Sequence, residues 1–401
     1  MRSANGDLAN ARMVDRLIGQ GALWSSDLIA AFRATPRHRF LDRVYVFQED
    51  RGWREVLIRP QPSTSDLKLV YADRALITRV SGAAADGFVT PISSSSQPSL
   101  MAQMLEDLHL APGLRVLDIG AGTGYNAALA AHVAGKGRIV SIDVDRRVLS
   151  EAQKHLQAFS ERGVVFRHAD GRAGLAEQAP WDRIIVTAAT PDLEPAWIEQ
   201  LAEGGILLAP LAFAPGLAFV VRAVVSGGAL EGRLTRAAYF MPLRSEQEAG
   251  DRPEAGIPIA GQLRAIEPPW AGWGDPKRFR NIVSPLLQAL AFYGHLRGLR
   301  VSYQTLPGGQ AAYGLQDTAT QATCWLGMQK WNAEDEMGAE LGRNHWRAFL
   351  EAGAPRPTEF RVRISLTEIL PAGQARESYV VHGPLCRQIW DLVEPRERPV
   401  F

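Results

Sequence analysis

Val116-Leu117-Asp118-Ile119-Gly120-Ala121-Gly122-Thr123-Gly124 is the stretch on which the reading of this chain turns. Arg115 to Ile119 is a short apolar run that suits a buried strand. The glycines follow at once, and Tyr125 to Val133 is an alanine-rich segment of helical composition. Glycine lacks Cβ, so the backbone can turn sharply after the strand and lie against a ligand, while the helix that follows offers N–H groups without intrahelical partners. The stretch is expected to cradle a small molecule. A glycine triplet by itself is weak evidence, and a plain surface loop is the competing reading.

The surroundings decide between the two. Arg138 to Ile142 is the next strand, Val164 to Arg167 another and Ile184 to Thr187 a fourth, with helix-length segments between them. Strands alternating with helices at this interval indicate βαβ units and a parallel sheet. The apolar pairs around Ile206 and Phe219, then Ala237 to Met241, are expected to complete it with antiparallel strands. Residues 12–40 look helical up to the turn at Pro36, and Leu100, Met101, Met104, Leu105 and Leu108 fall at helical spacing behind Pro98, which suits a helix start.

The chain has 401 residues, enough for two or three domains. With 46% hydrophobic and 22% charged residues it has ordinary globular usage, which argues against disorder or fibrous structure. The net charge of +1 gives no electrostatic reason to expect nucleic acid or an anionic membrane as partner. Two cysteines, Cys324 and Cys386, cannot build a disulfide framework or a cysteine-rich zinc site, so a reducing, cytoplasmic setting is expected. The N-terminus shows no apolar signal region. Ile206 to Val221 is uncharged but interrupted by Pro210, Pro215 and Gly216, and reads as two buried strands around a loop rather than a membrane span.

Composition shifts near residue 244. The expected organisation is a domain over 1–245, with an insertion at 41–70, a linker over 246–275, and a smaller α+β domain over 276–401. The last has helices at Ile282–Leu296, around Trp346–Leu350 and at Leu385–Val393, and strands at Val301–Leu306, Phe360–Leu366 and Tyr379–His382. Six of the ten tryptophans, Trp270, Trp273, Trp325, Trp331, Trp346 and Trp390, lie beyond residue 260 and are expected mostly to pack cores. His132 and His155 have no partner at metal-ligand spacing, and no metal site is expected.

Asp143 lies about 20 residues beyond Gly120, the spacing at which a carboxylate meets ribose hydroxyls on a doubly wound sheet. That leaves nicotinamide and adenosylmethionine open. The glycines run G-x-G-x-G rather than G-x-G-x-x-G, and Asp118 precedes them; this looks like the methyltransferase version, in which the aminoacyl end of adenosylmethionine replaces the pyrophosphate. Asp170-Gly171 follows the third strand, where such enzymes meet the adenine amino group.

With Met13-Val14-Asp15-Arg16-Leu17, Pro36-Arg37-His38-Arg39-Phe40, Tyr71-Ala72-Asp73-Arg74-Ala75-Leu76, Ser96-Gln97-Pro98, Ile184-Ile185-Val186-Thr187-Ala188-Ala189 and Gly204-Gly205-Ile206-Leu207 added in order, residues 12–245 resemble the protein-L-isoaspartate O-methyltransferase family. The resemblance implies a Rossmann-like class I fold with a doubly wound, mostly parallel sheet. It implies S-adenosylmethionine as cofactor, leaving as S-adenosylhomocysteine, and Ser96 as the active-site residue. It also assigns Ser93, Ser94, Ser95, Gln97, Asp118, Gly120, Ala121, Gly122, Thr123, Gly124, Asn126, Asp143, Val144, Ala169, Asp170, Gly171 and Thr187 to the cofactor, and Tyr71 and Asp73 to the substrate.

The chain departs from the family in three places. Ser93-Ser94-Ser95 replaces a small-Thr-Ile element, the segment between Phe40 and Tyr71 is roughly twice as long as usual and carries Trp53, and the C-terminal part is added. That part, through Trp346, Gly353-Ala354-Pro355 and Phe360-Arg361-Val362-Arg363-Ile364, resembles the extension of a subgroup associated with ribosomally made modified peptides such as graspetides and lanthipeptides.

A carboxylate is ionised at neutral pH, its ordinary pKa being about 4, and can attack a sulfonium methyl without a general base. The enzyme's task is positioning and desolvation, with Ser96 orienting the acceptor oxygen. The expected activity is esterification of an aspartyl or isoaspartyl side chain of a peptide or protein, promoting succinimide (aspartimide) formation. Dedicated tailoring of a ribosomal peptide and a non-catalytic cofactor-binding scaffold are the alternatives, with a dehydrogenase more distant. Thr187-Ala188-Ala189-Thr190-Pro191 stands where base-methylating enzymes carry an Asn/Asp-Pro-Pro-aromatic element, so nucleic acid is a poor acceptor. The C-terminal part is expected to recruit substrate, and cutting the chain near Arg244 to leave cofactor binding intact.

Overall fold

Local signals set the starts of the elements. In the computed structural model, which describes residues 4–48, 52–81, 89–245, 257–259, 261–271, 280–366, 375 and 377–393, Pro98 opens a helix and Gly124, at φ +79°, opens another. The chain forms two compact units that interleave along the sequence rather than meeting at one cut. The first comprises Met1–Ala188, Ala196–Ala209 and Phe240–Ala249, and the second Ala189–Pro195, Pro210–Tyr239 and Gly250–Phe401.

The first unit begins with α1 (Ala4–Gly19) and α2 (Ser26–Ala34), followed by β1 (Arg43–Gln48), β2 (Gly52–Leu57), α3 (Thr64–Val70), β3 (Leu76–Val80), β4 (Pro91–Ser95) and α4 (Pro98–Asp107). The alternating part runs β5 (Val116–Ile119), α5 (Tyr125–Ala134), β6 (Ile139–Asp143), α6 (Arg146–Leu156), β7 (Val165–His168), β8 (Trp181–Val186), α7 (Pro195–Glu199) and β9 (Leu201–Ala214). The strand order is β7-β6-β5-β8-β9, with every neighbouring pair parallel. All four residues of β5 are buried, as expected of a central parallel strand covered on both faces. The chain works outward from β5 through β6 to β7, then returns to the other side of β5 as β8. The order therefore reverses between β5 and β8, the switch point at whose carboxyl ends open α/β sheets have their ligand crevice. In a separate four-stranded sheet, β2-β1-β3-β4, the long segment between Phe40 and Tyr71 supplies β1 and β2.

The second unit holds the end of β9 from Pro210, then β10 (Leu217–Ser226), β11 (Ala229–Ala237), β12 (Arg264–Ile266), α8 (Arg280–Leu296), β13 (Arg300–Thr305), β14 (Ala311–Gln316), β15 (Thr323–Gly327), β16 (Trp331–Ala333), α9 (Glu336–Glu351), β17 (Phe360–Ser365), β18 (Glu377–His382) and β19 (Arg387–Leu392). Strands β18-β19-β17-β11-β10 lie side by side, and β12-β16-β15-β14-β13 form a second sheet. Phe213, Phe219, Phe292, Phe360 and Trp390 make an aromatic core, with Phe213 and Phe292 centroids 4.9 Å apart and Phe292 and Trp390 5.6 Å apart. Trp270, Trp331 and Trp346 cluster edge to face. Trp325, Trp331 and Trp390 are buried, while Trp273 lies outside the described residues.

Three expectations change. Leu385–Val393, expected as a helix, contains strand β19 instead; Gln388 and Asp391 are buried in it as bonding partners, Asp391 with Arg363 and Ser378 and Gln388 with Trp390, and do not line a solvent face. The antiparallel strand expected at Ala237–Met241 ends at Ala237 and begins at Ala229. Within the expected linker, β12 pairs with β16, while 246–256 and 272–275 lie outside the described residues. Among the described residues no helix is long and apolar enough to cross a membrane.

Candidate active site

The crevice begins at Gly120. Its φ of +98° is closed to most L-residues, and a Cβ there would lie 2.6 Å from the Thr187 hydroxyl, which donates to the Gly120 carbonyl at 2.9 Å and to that of Ile119 at 3.1 Å. Thr187, at the end of β8, thereby clamps the loop leaving β5. Gly120 N and Ala121 N both donate to the Ile142 carbonyl, which turns the loop toward β6. Thr123 sits in the same turn, its carbonyl meeting His155 Nδ1 at 3.0 Å.

Asp118 is wholly buried under this loop. One of its oxygens accepts from Asn126 Nδ2 at 2.8 Å and the other from the Ser141 hydroxyl at 2.7 Å, so the first turn of α5 is tied to β5 and β6. Burial pushes its pKa up to about 6, against the pull of those two donors. Asp143 ends β6, its carboxylate accepting from Asp145 N at 3.0 Å and more loosely from Gly122 N at 3.4 Å. Burial raises its pKa too, opposed by these N–H groups. An ionised carboxylate has about four acceptor sites, so capacity is left for further donors. Past β7, Asp170 caps a short turn by accepting from Arg172 N. Gly171 packs so tightly on Ile119 that a Cβ would come within 2.6 Å. The Val144 carbonyl accepts from His168, and Ala169 N donates to the Asp143 carbonyl.

The serine run approaches from the other sheet. Ser93, Ser94 and Ser95 form the end of β4, and the Ser94 carbonyl lies 3.4 Å from the place a Gly122 Cβ would occupy. Ser95 is buried, and Ser96 follows in the half-buried turn before α4. What holds this turn is Arg37, with no exposed surface. Its guanidinium donates to the Val70 carbonyl at 2.7 Å, the Ser96 carbonyl at 2.8 Å and the Ser95 carbonyl at 3.2 Å, with longer bonds to the Ser95 hydroxyl and the Ala72 and Arg74 carbonyls. Burial lowers its pKa to about 10, far above neutrality, so it stays charged. Arg37 stands in the Pro36–Phe40 motif, yet its role is invisible in sequence. Basic residues flank it on both sides, so nothing in the sequence marks it as the buried one.

Asp73 supports the same turn from below: its carboxylate accepts from Ser99 N at 2.9 Å and from Gln97 Nε2 at 3.3 Å, capping α4 from outside the helix. Tyr71 is 6% exposed, and its hydroxyl meets His38 Nδ1 at 2.7 Å, so it offers packing rather than an open surface. Thus β4, the loop after β5 and the ends of β6, β7 and β8 carry the expected residues to one region, with Tyr71 withdrawn beneath it. Among the described residues no group of His, Cys, Asp or Glu could hold a metal ion.

The arrangement is suited to an extended ligand lying across the strand ends. The left-handed glycines keep side chains out of its path, the first N–H groups of α5 can face an anionic end, and Asp143 can accept from hydroxyls. Residues 68–248 match the profile of protein-L-isoaspartate(D-aspartate) O-methyltransferase (PCMT). The chain is 31% identical over 237 residues to the protein-L-isoaspartate O-methyltransferase of Pyrobaculum neutrophilum, covering 58% of this chain and 98% of that one. It is 36% identical over 188 residues to that of Thermotoga maritima, covering 46% of this chain and about half, 51%, of that protein. A solved protein-L-isoaspartate O-methyltransferase structure aligns over 88% of this chain and 95% of its own at 22% identity, with a TM-score of 0.49.

Proposed function

The chain belongs to the protein-L-isoaspartate O-methyltransferase family, whose enzymes use S-adenosylmethionine, and from that premise we propose that it esterifies the side-chain carboxylate of an aspartyl or isoaspartyl residue in a peptide or protein. The observation that carries the reading is the meeting of two elements: the end of β4, with Ser94 against Gly122, brings the turn containing Ser96 beside the glycine loop.

When bound, the cofactor supplies an electrophilic methyl group on a sulfonium centre. Asp143 would accept from its ribose hydroxyls, with Val144 beside it. Ala169, Asp170 and Gly171 would face the adenine, and Gly120 to Gly124 with the start of α5 the aminoacyl end. Asp118 and Asn126 would keep that loop in shape, and Thr187, Gln97 and the Ser93–Ser95 strand would close the sides. The acceptor carboxylate is already ionised, so the protein's work is to align it with the methyl and strip its water. Ser96 donates one hydrogen bond that orients the acceptor oxygen, and Asp73 holds the turn. Esterification creates a methoxide leaving group, after which a substrate backbone nitrogen can close a succinimide.

Mass spectrometry of isoaspartyl and aspartyl peptides incubated with S-adenosylmethionine tests the activity; gain of one methyl ester is expected. Ser96→Ala should keep S-adenosylhomocysteine binding and lower kcat more than it changes KM, because the lost bond matters most in the transition state. Wild-type kcat in that variant would remove Ser96 from the site. A second reading, tailoring of a ribosomal peptide at aspartate, is favoured by the length of chain beyond the family match at 248. Methylation of aspartyl but not isoaspartyl peptides would select it.

A further inference from the structure

The insertion after Phe40 adds β1 and β2 to the sheet that ends in the serine strand, and one row of paired residues crosses all four strands, just ahead of a bulge in β3 after Ile77. Glu55 of β2 faces Tyr45 of β1, Tyr45 faces Ile77 of β3, and Ile77 faces Ser94 of β4. Residues paired in this way share a face. Neighbouring pairs place Phe47 with Trp53 and Arg43 with Leu57 on that same face. The opposite face is the inner one, since it carries buried Val44, Leu76 and Ser95. The outer face is unusually apolar for a surface. Phe47 is 58% exposed and Leu57 64%, and Phe47 and Trp53 meet edge to face with centroids 5.4 Å apart. Its charges are neutralised locally: Glu55 accepts from both Arg43 and Tyr45, and Arg79 pairs with Glu151.

We propose that this face, from Ser94 to the Phe47–Trp53 pair, is a docking platform for an extended segment of the methylated polypeptide, selecting apolar or aromatic side chains near the acceptor residue. The inference rests on the methyltransferase reading above. Three features argue for this occupant. The platform is continuous with the strand that leads into Ser96, it offers apolar contact with no unpaired charge to be buried among the residues named, and its far end is one extended segment away. Crossing from β4 to β2 takes three strand spacings, about 14 Å, or about four extended residues. Aromatic side chains about four residues from the acceptor would therefore reach Phe47 and Trp53 while the carboxylate sits at Ser96.

The test compares two isoaspartyl peptides of about twelve residues, one with Phe placed about four residues to either side of the acceptor and one with Ala there. Wild type should favour the Phe peptide through KM by roughly fivefold or more, the threshold above which an interface side chain counts as contributing, with similar kcat. The double variant Phe47→Ser/Trp53→Ser changes partly exposed side chains and should keep S-adenosylhomocysteine affinity. It should lose the preference while handling the Ala peptide as wild type does. Equal loss on both peptides, or no preference in wild type, overturns the platform. Calorimetry of the Phe peptide with S-adenosylhomocysteine-loaded protein reads the platform separately: if neither peptide is methylated, the methyltransferase reading fails, and the platform stands or falls on whether binding is present in wild type and lost in the variant. Concentration-dependent dimerisation abolished by the variant, without a change in peptide binding, would assign the face to a second copy and overturn the proposal.

Discussion

Arg37 carries more of the site than any residue expected to touch a ligand. The buried Arg37 guanidinium is bonded to carbonyls, so Arg37→Met leaves several acceptors unsatisfied and should destabilise the protein by about 3 kcal/mol or more. Denaturant unfolding measures that loss, and Arg37→Lys, which restores the charge but not the fork, should recover only part of it. Asp118 sets a pH dependence of definite sign. Its folded pKa of about 6 exceeds the unfolded 3.8, so its contribution is fully present below about pH 4 and is lost as pH rises through about 6, an effect of about 3 kcal/mol. Asp118→Asn can still accept from Asn126 and donate to Ser141, and should flatten that part of the stability curve when wild type and variant are unfolded side by side between these limits. Asp143→Ala should weaken S-adenosylhomocysteine binding by about 1.5–3 kcal/mol, the worth of hydrogen bonds to a charged acceptor, in a calorimetric titration.

At the level of elements, the loop from β5 to α5 is held by its neighbours as much as by its glycines. Gly120→Ala meets both an unfavourable φ and the Thr187 hydroxyl, so it should cost about 1–3 kcal/mol of stability and most of the cofactor affinity, read by thermal melting and titration. This loop is legible in sequence because its requirement is local: a strand, three glycines and a helix start within a few residues. The β4–α4 turn is half legible. Ser96-Gln97-Pro98 marks it, but the groups that fix it, the donating Arg37 guanidinium and the accepting Asp73 carboxylate, come from residues far away in the chain. Strand β19 reads as a helix in sequence because its buried polar residues find partners on other strands, which periodicity cannot see. The insertion can be recognised by its length alone, and only pairing reveals that it extends the sheet bearing the serine run.

For the whole molecule, the interleaving of the two units changes what a truncation would do. Asp192, in the loop Ala189–Pro195 of the second unit, is wholly buried, and its carboxylate accepts from Leu385 N and Cys386 N at 2.9 Å and from Gln388 Nε2 at 2.7 Å. Strand β11 likewise pairs with β17. Cutting near Arg244 would leave that carboxylate buried without these donors and strip the edge of β11, so the shortened chain should aggregate or unfold, whereas the sequence alone points to a surviving cofactor-binding domain. Light scattering and circular dichroism of the truncated protein check this. Soluble, folded material with normal S-adenosylhomocysteine affinity would decide for the independent domain.

Sequence by itself determined the alternation of strands and helices, the strand-glycine-helix cradle and the family, because each is written in short-range patterns of apolar spacing, glycine and a few ordered motifs. Tertiary structure alone decided that Arg37 organises the serine turn, that Tyr71 is withdrawn from the surface while Asp73 caps α4, that the insertion extends the sheet of the serine strand, and that the loop after β8 is secured by residues near the C-terminus. The physical reason is the same in each case: a buried polar group must find its hydrogen-bond partners wherever the fold brings them, and those partners lie dozens to nearly two hundred residues distant along the chain.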